Sequence, residues 1–224
     1  MNALRLFALA LLIPLGFLQA QTFETAWIPS KPEIATYRST SPQGDGLYQV
    51  SVSKTDSIIE VYINMISPGF TKTVHGRMTS AMRPLASSSF IAVGGQIIIE
   101  TSCQYTEDKI HLSSVIKPYN QTVVFDTAAA GPIVDFSQVP LLGRIISLKP
   151  GTRRSFVSIN PQSNALVTMT TEVVGTAVVD SIECAKVDMN NFEGLSTYWI
   201  EKASPHRAIR IEQPGTHRVT ELLR

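Results

Sequence analysis

Hydrophobic and polar residues alternate along much of this chain with the period of two that is typical of half-buried β-strands. The alternation runs through residues 48–53 and returns with Ile59, Val61 and Ile63 on one face of the next segment. The residues between these segments, 54–57, are turn-like, so the pair predicts an antiparallel hairpin. Gly94-Gly95 separates two further apolar runs and predicts a second hairpin.

The same pattern recurs to the end of the chain. Further strands are predicted at Ile110–Ile116, Thr122–Phe125, Ser155–Ile159, Ala165–Val174, Ala177–Asp188, Leu195–Ile200, Ala208–Glu212 and Arg218–Leu223. Short turns join most of these roughly ten strands, whereas parallel pairing needs connections of about a dozen residues or more. We therefore expect an all-β, mainly antiparallel fold, either a curved sheet or a partly open β-barrel. The proline-rich stretch 24–38 is expected to run along the surface before the first long strand.

One segment, Asp135 to Pro150, departs from the strand pattern. Pro140 suits a first helical turn, and Leu141, Leu142, Ile145 and Ile146 then fall on one face. A short apolar helix in a β-rich chain either completes the core or covers an apolar cavity as a lid. In the second case Leu141, Leu142 and Ile145 would contact a ligand and Arg144 would orient its polar group.

The N-terminal twenty residues have the layout of a secretory signal peptide. A single cation, Arg5, precedes an apolar run of about a dozen residues, and a small residue stands at Ala20. The predicted cleavage falls between Ala20 and Gln21, which leaves one β-rich domain over residues 21–224. A membrane anchor is the alternative, but the run is shorter than the roughly twenty residues that a spanning helix needs. The protein is expected to be periplasmic or secreted, in a bacterial envelope.

The charge of the chain restricts the kinds of molecule that it is expected to bind. The formal net charge is +1 and falls to zero when Arg5 is removed, and the chain has no run of basic residues, which argues against nucleic acid as a partner.

The chain has two cysteines, Cys103 and Cys184. In an exported protein these predict one disulfide, with two buried free thiols as the alternative.

No catalytic or metal-binding motif stands out. The four histidines lack helical pair spacing, although His206 and His217 flank the strand that carries Glu212. Asp126-Thr127 resembles half of an aspartic-protease turn, but that chemistry needs two carboxylates and no second copy is convincing. Tyr198, at the end of a strand, fits either a core position or a surface that stacks on a ligand. We therefore predict no catalytic residues, no metal and no cofactor.

The C-terminal half resembles a known group of exported bacterial proteins, the family called domain of unknown function 3108. The resemblance covers residues 126–224 and rests on the short motifs Val134-Asp135-Phe136, Leu141-Leu142-Gly143-Arg144, Leu148-Lys149-Pro150-Gly151, Cys184-Ala185-Lys186-Val187, Thr197-Tyr198-Trp199-Ile200, Ala208–Glu212 and Thr220-Glu221-Leu222-Leu223. It implies a periplasmic β-rich domain and supplies no catalytic residue. By analogy of fold alone, such a domain is similar to the curved half-barrels that carry lipoprotein acyl chains.

Together these observations predict a non-catalytic envelope protein. Its expected ligand is apolar, such as a lipid or a lipoprotein acyl chain. The alternative is a structural or assembly protein that acts through contacts with other envelope proteins and has no internal cavity.

Overall fold

Fifteen strands form one sheet in the part of the chain that the structure, a computed structural model, describes: residues 23–128, 133–160, 165–192 and 194–224. The strands are β1 Glu33–Ser41, β2 Gly44–Thr55, β3 Ile58–Ser67, β4 Phe70–Thr79, β5 Pro84–Val93, β6 Gln96–Tyr105, β7 Lys109–Ile116, β8 Gln121–Ala128, β9 Ile133–Val134, β10 Arg153–Asn160, β11 Ala165–Val179, β12 Ile182–Asn191, β13 Gly194–Glu201, β14 Ala208–Gln213 and β15 Arg218–Leu222. A single turn of α-helix, α1 Val139–Leu142, follows a 3₁₀ turn at Phe136–Gln138. Two further 3₁₀ turns are Lys117–Tyr119 and Pro214–Thr216.

The chain enters and leaves the sheet at its centre. From β1 the strands run outwards in sequence to β8 at one edge, and the chain resumes at β9 on the opposite edge. From β9 they return in sequence to β15, which pairs with β1. Only the β9–β10 pair is parallel among these strands. The expected all-β, mainly antiparallel open sheet is therefore confirmed.

The sheet curls around a single main core. Buried residues from both halves, including Val61 of β3 and Met169 of β11, belong to one hydrophobic cluster with Leu141 of α1. A smaller cluster joins Leu112 of β7 to Ile159 of β10. Side chains therefore bridge the two edge regions of the sheet, although β8 and β9 are not paired with each other.

Both predicted hairpin turns are confirmed. Asp56-Ser57 joins β2 to β3, with a positive φ of 47° at Asp56. Gly94 and Gly95 join β5 to β6 with φ values of 58° and 80°, the left-handed conformations that two-residue hairpin loops require.

Three sequence expectations on the strands are wrong. Residues 33–41 are the central strand β1, with Ala35 and Tyr37 buried, because pairing with β2 and β15 encloses an otherwise polar segment. Strand β4 was not predicted at all. The strands predicted at Ala165–Val174 and Ala177–Asp188 are not separated at Gly175, where β11 only has a bulge. The chain turns instead at Asp180-Ser181.

The predicted helix over Asp135–Pro150 is much shorter than expected. The Asp135 side chain accepts a hydrogen bond from the Ser137 backbone N–H at 2.8 Å, and the Gln138 side chain accepts one from the Asp135 N–H at 2.6 Å. This reciprocal cap starts a 3₁₀ turn that continues into α1 and ends at Leu142. Residues 135–146, which we call the plug, lie inside the curve of the sheet.

The predicted disulfide is absent: Cys103 and Cys184 are both buried free thiols. Cys103 lies on β6 and Cys184 on β12, and eight strands lie between β6 and β12 in the sheet order, so strand pairing does not bring the two residues together.

Candidate functional site: an apolar cavity over the plug

A cavity of about 380 Å³ opens at the end of the sheet where β1 ends and β2 begins. Its walls come from β1–β4 on one side and from β12–β15 on the other, and they are mainly apolar. The apolar and aromatic wall residues are Leu47, Tyr48, Ile63, Met65, Ile66, Pro68, Phe70, Val74, Phe192, Tyr198 and Ile211. A volume of this size lies at the small end of the range for ligand pockets, about 300–1,000 Å³.

The plug forms the inner surface of this cavity through Phe136, Val139 and Pro140. The residues that sequence analysis nominated as ligand contacts, Leu141, Leu142 and Ile145, do not line it. All three are completely buried in the main core, on the side of the plug away from the cavity. The plug instead faces the cavity with residues of the 3₁₀ turn and the start of α1, which precede the three predicted contacts in the sequence.

Arg144, the nominated polar contact, lies away from the cavity as well. Its guanidinium is 3 % exposed, donates to both carboxylate oxygens of Glu33 at 3.0 and 3.1 Å, and donates to the Pro205 carbonyl at 2.7 Å. The Trp27 ring covers it at 3.9 Å. Burial lowers the pKa of Arg144, and Glu33 opposes this effect. Because Glu33 begins β1 and the cavity lies where β1 ends, Arg144 anchors the plug at the opposite end of the sheet.

A buried carboxylate fixes the other end of the plug. Asp135 is 1 % exposed and accepts hydrogen bonds from Ser87 at 2.7 Å and from the Tyr105 hydroxyl. The Gln138 side chain donates to the Met82 carbonyl at 2.7 Å. These bonds attach the plug to β5, to β6 and to the β4–β5 turn, so that the cavity floor is held from several strands.

Burial also alters the acidity of the groups beside this carboxylate. Desolvation, followed by the charge of Asp135, raises the pKa of Tyr105 far above its usual range. Desolvation raises the pKa of the Cys103 thiol to about 12, although a hydrogen bond with Tyr105 acts in the opposite direction. These groups stay protonated at neutral pH and have a structural role.

Two basic side chains interrupt the apolar lining of the cavity. Lys72 shares the inward face of β4 with Val74 and Gly76, and Arg218 shares the inward face of β15 with Thr220. The Lys72 ammonium lies 5.8 Å from the centre of the Phe136 ring. No Asp, Glu, His or Cys lines the cavity among the described residues.

Lys72 and Arg218 were not among the site residues predicted from the sequence. For Arg218 the signal was present, since it precedes Thr220 and Leu222 by steps of two in a predicted strand. For Lys72 the same register could have been read from Val74 and Met78 once β4 was recognised. Tyr198, weighed as a core or ligand-stacking residue, is nearly buried and belongs to the cavity wall.

The remaining candidates from the sequence lie elsewhere. Asp126 is an exposed residue of β8 whose carboxylate lies 2.6 Å from His111 Nδ1. The described residues contain no group of three or more His, Cys, Asp or Glu that could hold a metal ion, and Glu212 pairs with Arg210 at 2.6 Å. The predicted cleavage site at Ala20 and Gln21 lies outside the described residues.

Comparisons with known proteins add no identity. No protein-family model matches this chain, and no curated protein matches it significantly. The resemblance to domain of unknown function 3108 therefore stays a prediction from short motifs. Within the described ranges, every helix is too short or too polar to cross a bilayer.

Proposed function

We propose that this protein binds an apolar ligand, such as a lipid acyl chain, without catalysing a reaction. The observation that carries the proposal is the cavity of about 380 Å³ with mainly apolar walls. An assembly protein acting through its outer surface would need no such space, so the cavity favours ligand binding over that alternative.

The construction of the cavity also supports binding rather than chemistry. Its floor is held by the hydrogen-bonded Asp135 cap and by the buried pair of Arg144 and Glu33. A rigid, pre-formed apolar site lowers the entropic cost of binding. Each methylene group transferred from water into it contributes about 0.8 kcal/mol, so a medium-length chain gains several kcal/mol. Among the described lining residues none is a carboxylate, thiol or imidazole that would serve as a nucleophile or general base.

The proposed setting is the bacterial envelope, and it rests on the predicted signal peptide. There an exported protein with a sheltered apolar site would hold a lipid, or the acyl chain of a lipoprotein, away from water. Fractionation of cells, with mass analysis for a mature protein that begins at Gln21, tests the location independently of the ligand.

Native mass spectrometry of the mature protein, followed by lipid extraction, tests the proposed function. We expect extra mass that extracts as acyl-chain species. The variant Met65→Trp places a larger side chain on the inward face of β3, at the cavity wall, and should abolish the extra mass. Val178→Trp is the matched control, since Val178 is 71 % exposed near the β11–β12 turn. A bare mass for the wild-type protein, with no binding of added acyl chains, would overturn the proposal.

A further inference from the structure

We infer that the ligand of the cavity is a single-chain amphiphile with an anionic head, whose charge is recognised by Lys72 and Arg218. This inference rests on the proposed function and specifies its ligand class. A fatty acid carboxylate is the simplest member of that class.

Both cations occupy inward-facing positions of their strands. In an antiparallel sheet alternate side chains face the core, and positions 72 and 218 share the register of the buried residues Val74 and Thr220. An inward-facing cation next to an apolar wall loses hydration, which is unfavourable unless an anion or hydrogen-bond acceptor compensates.

No carboxylate of the described cavity lining compensates the charges of these two cations. Neither Lys72 nor Arg218 forms an ion pair with another residue of the described ranges. Arg218 reaches the Gln213 side-chain oxygen at 3.5 Å, and the Lys72 ammonium lies over the Phe136 ring. The described charged groups on the lining are thus all positive, which complements an anion.

The Lys72 ammonium lies next to the apolar floor of the cavity. Phe136 belongs to the floor and also lies beneath the Lys72 ammonium, so an apolar chain and a charged head would be bound side by side. The cavity is at the small end of known ligand pockets, which suits one chain rather than two. Lys72 on β4 and Arg218 on β15 line the same cavity from either side of β1–β3, so each offers a positive charge to a ligand inside it.

Competition binding tests this inference. The neutral apolar dye N-phenyl-1-naphthylamine reports on occupation of the cavity. The dye is displaced either by laurate or by the neutral glycerol monoester of laurate. We expect wild-type protein to bind laurate about tenfold more tightly than the monoester, which corresponds to 1.4 kcal/mol. Lys72→Gln and Arg218→Gln should each weaken laurate binding several-fold, remove the preference when combined, and leave the monoester unaffected.

The control variant Lys109→Gln removes the same charge from an exposed position on β7 and should bind like wild type. Circular dichroism melting verifies that each variant is folded, and the two single variants provide independent tests should one of them unfold. Equal affinity for laurate and the monoester, or an unchanged preference in the double variant, would overturn the anionic head but keep the proposed function. Failure of the dye and of both lipids to bind would overturn both proposals.

Discussion

Gly76 of β4 lies so close to the plug that a Cβ atom at position 76 would stand 1.9 Å from Ser137 Oγ and 2.5 Å from Ser137 Cβ. A glycine in the interior of a strand often marks such a close approach of another part of the backbone. Here the missing side chain allows the plug to rest directly on the sheet. This close contact therefore helps to set the depth of the cavity above Phe136.

Gly76→Ala is expected to destabilise the protein by about 1–3 kcal/mol, because overpacking forces the plug away from β4. Urea unfolding measures the change. The double variant Gly76→Ala/Ser137→Gly removes both clashing atoms and should recover part of the loss. Gly175→Ala is the control, since nothing lies within 4 Å of a Cβ there. Equal, small effects of both alanine variants would contradict the role assigned to Gly76.

Glu33→Gln is expected to cost about 3 kcal/mol of unfolding free energy, because it leaves the buried Arg144 guanidinium without its counter-charge. The double variant Glu33→Gln/Arg144→Met should cost less than the sum of the two single variants. A double-mutant cycle by chemical denaturation measures this coupling. Glu183→Gln, which disrupts the exposed pair of Glu183 with Lys202, should change stability by no more than about 1 kcal/mol. Additive effects at Glu33 and Arg144 would show that the pair does not anchor the plug.

Neither cysteine should react with iodoacetamide in the native protein, because both thiols are buried and burial raises the pKa of each. In urea both should be alkylated, with the same mass whether or not reductant is added first. Mass spectrometry of the intact protein provides the measurement. A mass that depends on reductant would indicate a disulfide and would contradict the separation of β6 and β12.

Stability should fall as the pH rises above about 9. Cys103 ionises at 9.0 in its ordinary state but at about 12 when buried, and burial likewise raises the pKa of Tyr37 from 10.0 to about 12. Below pH 9 both states keep these protons and the stabilisation is complete. Between pH 9.0 and about 12 the unfolded chain releases these protons before the native protein does, so unfolding becomes more favourable until the native groups also ionise.

Urea unfolding at about pH 8 and about pH 11 tests this sign, which follows from linkage. Replacing Tyr37 with Phe should reduce the difference between the two conditions, as should Cys103→Ala. Tyr119→Phe serves as the control, because Tyr119 is 79 % exposed. A stability that rises with pH, or variants that respond like wild type, would be inconsistent with these buried groups.

Alternation alone predicted most of the sheet, because strands such as β2 and β3 bury one face and expose the other. It failed at β4 for a physical reason. The inward positions of that strand include Lys72 and Gly76, one of which lines the cavity while the other admits the plug. Lys72 and Gly76 thus interrupt the strand pattern, and the candidate site depends on both of them.

For the plug, the sequence predicted the element but not its contacts. Its composition predicted a short apolar segment, but not which residues of it would meet the cavity. The local cap between Asp135 and Gln138 sets where the turn starts. Its position against the sheet depends on hydrogen bonds to Asp135 from Ser87 and Tyr105, which are 48 and 30 residues away in the sequence and beyond the reach of a local pattern.

The pairing of β1 with β15 has a consequence for how the protein folds. Tyr37 is opposite Leu222 at the middle of the sheet, so its central seam joins residues from nearly opposite ends of the chain. Closing so long a loop costs chain entropy before the contacts between β1 and β15 can form, which slows this step relative to the pairing of consecutive strands. Until β15 is in place, the β1–β8 meander has two unpaired edges and an uncovered apolar face. The cavity is therefore complete only after β15, which supplies part of its wall, has paired with β1.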